Sequence, residues 1–142
     1  MIGLSDREVR AGTLTIRTHR DGSACTVALA GELDLANAGR FSDELKRAEN
    51  DSSASRGIVV DMTELEFIDS TGIAILVALH QRLNADGDHF KLVRSQAMAV
   101  CRVLALTGLD EVIPFQDPEP GEGEGEAARS RFAPLLESGP GN

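Results

Sequence analysis

The sequence predicts one α/β domain on a mixed, mostly parallel sheet, with its elements in the order β-β-α-β-α-β-α-β. Three observations carry this. Ile58-Val59-Val60 is a continuous β-branched run, the pattern of a central strand covered on both faces. Segments of period 2 alternate with segments of helical period along most of the chain, which implies parallel strands joined by right-handed crossovers. Between Ile58 and Leu83, a strand passes into a long apolar helix through one short polar joint, Asp69-Ser70-Thr71-Gly72.

In chain order, residues 1–11 are mixed and charged and read as a flexible lead-in. From Thr13, Leu14 and Ile16 alternate with Thr15 and Arg17, a strand signal. The cluster Arg20-Asp21-Gly22-Ser23 is a turn, and Cys25, Val27 and Leu29 mark the second strand of an antiparallel hairpin. Gly31-Glu32-Leu33-Asp34 then breaks the pattern. Ala38, Phe41, Leu45 and Ala48 recur at helical spacing, with Asn37 as the expected N-cap and an end near Asn50. Asp51–Arg56 reads as a Ser-rich loop.

The central strand is expected over Gly57–Met62, with Thr63–Phe67 leading to the joint. Beyond it, Ile73, Leu76, Val77, His80 and Leu83 share one helix side, and Gly87 supplies a left-handed stop. Phe90–Val93 is a short strand. Gln96–Leu106 is a third helix with Ala97, Val100 and Leu104 inward, closed by Gly108. Val112–Phe115 reads as a last strand, confined to a sheet edge by Pro114. The stretch Gln116–Asn142 holds four Pro and five Gly in 27 residues, with six acidic residues against two Arg. Such a composition does not bury enough surface to offset ordering entropy, so 12–116 is expected as the domain and 117–142 as a disordered acidic tail.

Composition narrows the function. The formal net charge is −9 over 142 residues, which disfavours nucleic acid and anionic membranes as direct partners. No apolar run approaches the ~20 residues of a membrane-spanning helix, and the N-terminus lacks the pattern of a signal peptide, so a cytoplasmic location is expected. The chain has no Trp or Tyr, which leaves few platforms for stacking bases. Cys25 and Cys101 lie in apolar segments without metal-like spacing and read as free thiols. No metal triad, phosphate-binding glycine loop or cofactor fingerprint occurs, so neither a cofactor nor a metal is expected.

The hydroxyl of Ser70, where a helix should begin, has three readings. As a nucleophile it needs a base, yet His80 lies about three turns down the same helix, out of reach, and the flanking residues are not a Gly-x-Ser-x-Gly elbow. As a cap, Asp69 or Ser70 could satisfy the first N–H groups of the helix. As a phosphoacceptor, it would place nearly two negative charges beside Asp69 and switch off a partner that accepts the neutral hydroxyl. Asp34 follows the second strand and either begins the turn into helix one or shares the same sheet edge, where α/β folds place their sites. Asp61, with Glu64 and Glu66, reads as a solvated acidic loop.

Gly31-Glu32-Leu33-Asp34, Ile58-Val59-Val60-Asp61 and Phe67-Ile68-Asp69-Ser70-Thr71-Gly72-Ile73, in this order and spacing, resemble a STAS domain of the bacterial anti-sigma factor antagonist kind. The resemblance spans 12–116. It implies a non-enzymatic regulator that binds an anti-sigma factor, itself a GHKL-type serine kinase, and so frees a sigma factor. It further implies phosphorylation at Ser70, reversal by a PP2C-type phosphatase, and a binding surface of Glu32, Asp34, Asp69, Ser70, Thr71 and Gly72. ATP would belong to the kinase. Gly72-Ile73-Ala74 departs from the Gly-Leu-Gly that often follows in the family. A constitutive scaffold and a nucleotide- or small-molecule-sensing domain remain as alternatives.

Overall fold

The computed structural model describes residues 6–21, 24–50, 57–87 and 89–118. Strands β1 (Asp6–Ala11), β2 (Leu14–Asp21) and β3 (Ala24–Leu33) precede helix α1 (Leu35–Asn50). Strand β4 (Gly57–Ile68), helix α2 (Ser70–Ala85), strand β5 (His89–Val93) and helix α3 (Met98–Thr107) follow. A 3-10 turn at Leu109–Glu111 leads to the two-residue strand β6 (Phe115–Gln116). The six strands form one sheet in chain order, antiparallel from β1 to β3 and parallel from β3 to β6. This is the mixed, mostly parallel α/β sheet that the sequence predicts, with one strand more.

The extra strand corrects the lead-in. Asp6–Ala11 pair with β2 through a two-residue loop, Gly12-Thr13, in which Gly12 has φ 63°. Five of the six residues in β1 are exposed or half-buried, and only Val9, opposite Ile16, reaches the core. An edge strand with one inward residue has no legible period, which is why it reads as irregular.

The central strand is also longer than expected. β4 runs to Ile68, so Thr63–Phe67 continue the ladder with β3, across register shifts at Ala28/Ala30 and Gly31/Glu32. Asp61 is therefore not part of a solvated loop. It is buried at 1% exposure, and its Oδ1 accepts from the Thr63 amide and hydroxyl. Glu64 is half-buried and Glu66 exposed on the same strand.

Leu14, Ile16, Val27, Leu29, Phe41, Leu45, Val60, Met62, Leu76, Leu79 and Leu92 meet in one core. Each fully buried large side chain contributes about 1.5–3 kcal/mol, so this cluster outweighs any single polar contact below. In α2 the buried positions are Gly72, Leu76, Leu79 and Leu83, and Ile73 and Val77 pack at their margin. His80, expected inward, is half-buried against Phe90 with ring centroids 6.2 Å apart.

Three boundaries move. Asp34, not Asn37, caps α1: its Oδ1 accepts from the Ala36 amide, while Asn37 Oδ1 accepts from the Asp34 amide. α3 starts at Met98 because Ser95 Oγ, which donates to Leu65 O, accepts from the Ala97 amide and sets the entry. β6 begins after Pro114 rather than at Val112, and it lies at the sheet edge as expected. Gly87 and Gly108 take the left-handed stops, φ 79° and 77°. Both cysteines are free thiols, Cys25 buried and Cys101 half-buried. Residues 22–23, the Ser-rich loop 51–56 and the tail 119–142 lie outside the described residues, as do the expectations that fall on them.

Candidate functional site at the carboxyl edge of the sheet

Parallel strands bring their carboxyl ends to one edge, so β3 and β4 deliver Glu32–Asp34 and Phe67–Asp69 side by side. The register pairs Glu32 with Phe67 and Leu33 with Ile68, and the Asp69 amide donates to Leu33 O at 3.2 Å. Both chains then turn directly into helices, α1 after Asp34 and α2 after Asp69.

Asp69 joins the two helix starts. Its backbone is extended, φ −109° and ψ −176°, as an N-cap requires. Oδ1 accepts from the amides of Thr71 at 2.9 Å and Gly72 at 3.2 Å. Oδ2 accepts from the amide of Leu35, at the head of α1, at 3.1 Å. One carboxylate thus satisfies N–H groups of both helices and lies where both dipoles favour negative charge.

That arrangement decides between the caps considered for α2. Asp69 is the cap, and Ser70 is the first helical residue, exposed, with its hydroxyl uncommitted among the described residues. Thr71 is half-buried and Gly72 buried. A Cβ on Gly72 would stand 2.7 Å from Leu33 Cδ2 and 2.9 Å from Ile68 Cγ1. The glycine therefore lets α2 sit directly on the ends of both strands, and it holds Ser70 at the edge.

The edge also groups the carboxylates. Glu32 is exposed and Asp34 half-buried, and Asn37 Nδ2 donates to Glu32 O at 3.0 Å and to Ala11 O at 3.3 Å, which ties the Glu32–Asp34 segment to the β1 hairpin. The structure brings Glu32, Asp34, Asp69, Ser70, Thr71 and Gly72 to one place. It adds two residues outside the expected binding surface, Leu35 and Phe67, 75% and 44% exposed. Leu35 keeps helical phase with Ala38 and Phe67 keeps strand phase with Leu65, so both look like core. They are exposed because each stands at the very end of its element, past the layer that covers it.

Chemically, this edge offers a neutral hydroxyl, an apolar rim and several carboxylates. The histidines His19, His80 and His89 lie elsewhere, on β2, in mid-α2 and at the start of β5. No cluster of three metal-ligating side chains occurs among the described residues. No helix among them is long and apolar enough to cross a membrane.

Comparison with known proteins places the same features in a family. The family model described as the STAS domain matches residues 15–120. The chain is 30% identical over 96 residues to the anti-sigma-F factor antagonist RsfA of Mycobacterium tuberculosis, covering 68% of this chain and 73% of that protein. Among solved structures, an anti-sigma factor antagonist from Mycobacterium paratuberculosis superposes with a TM-score of 0.65 at 27% identity, covering 72% of this chain and 85% of that one. The anti-sigma factor antagonist SpoIIAA in its unphosphorylated form shares the fold, with a TM-score of 0.62 at 20% identity over 83% of this chain and 97% of that one.

Proposed function

The chain belongs to the STAS domain family, and from that premise we propose that it is an anti-sigma factor antagonist switched by phosphorylation of Ser70. In the unphosphorylated state it binds an anti-sigma factor that is also a GHKL-type serine kinase, and the bound sigma factor is released. The kinase transfers the γ-phosphoryl group of its own ATP to the Ser70 hydroxyl, and the complex separates. A PP2C-type phosphatase hydrolyses the phosphoester and restores binding. The chain itself is regulatory, works without a cofactor of its own, and acts in the cytoplasm.

One observation carries this reading: Asp69 does the capping, so the exposed Ser70 hydroxyl has no structural duty. A serine needed as a cap would be poorly placed to be modified, because esterification would cost the helix its start. Here the modification leaves the cap in place and changes the surface. A phosphate adds about −1.5 to −2 charges at neutral pH. It would do so beside Asp69, Asp34 and Glu32, on a rim that also exposes Leu35 and Phe67. An apolar contact that accepts a hydroxyl loses complementarity when a hydrated dianion takes its place, and like charges nearby add repulsion.

The test uses the antagonist with its cognate anti-sigma factor. Ser70→Ala should bind as tightly as the unmodified protein and stay bound with ATP present. Ser70→Asp should weaken binding by at least about tenfold, the equivalent of 1.4 kcal/mol, measured by calorimetry. Equal affinity of wild type, Ser70→Ala and Ser70→Asp would instead identify a constitutive scaffold. Mass spectrometry of the protein from its native cells, with and without phosphatase treatment, should find phosphate on Ser70.

A further inference from the structure

Away from the Ser70 edge, α1 from Arg40 onward and the edge strand β1 line an open cleft of about 670 Å³, with Arg7, Arg40, Asp43, Glu44, Lys46 and Arg47 along it and Asn50 at its end. Glu44 is at its base, 3% exposed. Arg7 holds it with both arms, Nε to Oε1 at 2.8 Å and Nη2 to Oε2 at 3.3 Å. This hydrogen-bonded pairing raises the Arg7 pKa, against the opposing effect of burial. Arg7 is thus the hydrogen-bonded partner of the buried carboxylate. Arg40 and Arg47 nevertheless stand 3.8 and 4.0 Å from the same group, beyond hydrogen-bond range, with half or more of their side chains exposed. Four cations against two carboxylates leave a surplus of two positive charges in a chain whose net charge is −9.

The second observation is the strand beside the cleft. β1 is the terminal strand of the sheet and pairs only with β2 among the described residues. Half of its backbone donors and acceptors thus face outward, the arrangement that receives an added strand. Arg40 and Arg47 are two helical turns apart, about 10 Å. A single anion does not span that distance, but an extended chain, with same-face side chains about 7 Å apart, presents carboxylates along it.

We propose that the β1–α1 cleft docks an extended acidic peptide segment of a partner protein, added as a strand along β1 with its carboxylates on Arg40, Lys46 and Arg47. Planar guanidiniums with unspent donors favour carboxylates over apolar ligands. The open shape of the cleft suits a chain lying across it more than an enclosed small molecule. This docking does not depend on the Ser70 reading, since the two surfaces lie on different parts of the domain.

The experiment is fluorescence polarisation with the full chain and a labelled decapeptide alternating Glu and Thr. Saturable binding is expected. The double variant Arg40→Gln/Arg47→Gln should weaken it by about tenfold or more while the thermal melt stays close to wild type, because Arg7 still pairs with Glu44. Backbone N-methylation of alternate peptide residues should abolish binding, and Ser70→Asp should leave it unchanged. Several results would overturn the proposal: no saturation, equal binding by the double variant, or equal binding of the Lys-Thr counterpart. So would binding of tripolyphosphate in place of the peptide. Tighter binding after Glu119, Glu122, Glu124 and Glu126 are all changed to Gln would also overturn it, because the occupant would then be this chain's own acidic segment.

Discussion

At Asp69, a single carboxylate accepts from Thr71 and Gly72 in α2 and from Leu35 in α1. Asp69→Ala removes all three bonds. It should cost about 1–2 kcal/mol, more than a typical single cap because two helix starts lose a partner, read as a lower midpoint in urea at unchanged slope. Asp69→Asn keeps a capping oxygen but offers one acceptor in place of two, so it should fall between the two proteins. Equal stability of Asp69→Ala and wild type would mean that water replaces the carboxylate at no cost. Gly72 makes a different demand. Its φ is ordinary for a helix, and the constraint is space, since an added Cβ meets Leu33 and Ile68 at under 3 Å. Gly72→Ala should destabilise by about 1–3 kcal/mol through overpacking, partly relieved by movement of the flexible Leu33 end. It should also shift Ser70 outward, so partner affinity should fall even with the hydroxyl intact, which calorimetry on the same complex would read.

Among the elements, the strands differ in what holds them. β4 is flanked by β3 and β5 and buries eight of its twelve residues, whereas β1 and β6 each have one neighbour among the described residues. β1 contributes one core residue, Val9, and an ion pair from Arg7 to Glu44. Local opening free energy follows burial and pairing. Amide hydrogen exchange should therefore be slowest in Val59–Met62 and faster in β1 by several orders of magnitude. Protection of β1 equal to that of β4 would show that the hairpin opens only with the whole domain. The same weakness is what leaves the outer edge of β1 available, so addition of an acidic peptide should slow exchange in β1 selectively.

On the scale of the whole molecule, two surfaces of opposite character lie at different places along α1. The carboxyl edge gathers Glu32, Asp34 and Asp69 around Ser70, and the β1–α1 cleft gathers Arg7, Arg40, Lys46 and Arg47. Under the proposed switch and the proposed docking, one partner is released from the Ser70 edge by phosphorylation while a second contact persists through the cleft. That division predicts a specific outcome: in a complex using both surfaces, Ser70→Asp and Arg40→Gln/Arg47→Gln should have additive effects on affinity, because the sites share no side chain.

The α/β class, the central strand, the three helices and the polar joint at Asp69–Gly72 were all determined by the sequence alone. Each rests on local periodicity or on residue types with strong local preferences, such as β-branched runs, glycine stops and capping carboxylates. β1 was not legible, because a six-residue segment with four charged side chains and a single core residue becomes a strand only when β2 is there to pair with. Asp61 looked solvated and is buried, because β4 does not stop at Met62 but extends along β3 to Ile68. Leu35 and Phe67 keep the phase of buried neighbours and are nevertheless exposed, since periodicity reports which way a residue points and not where its covering layer ends. The choice of Asp69 over Ser70 as the cap was likewise tertiary. It depends on Leu35, 34 residues away in sequence, meeting the same carboxylate where two parallel strands end together.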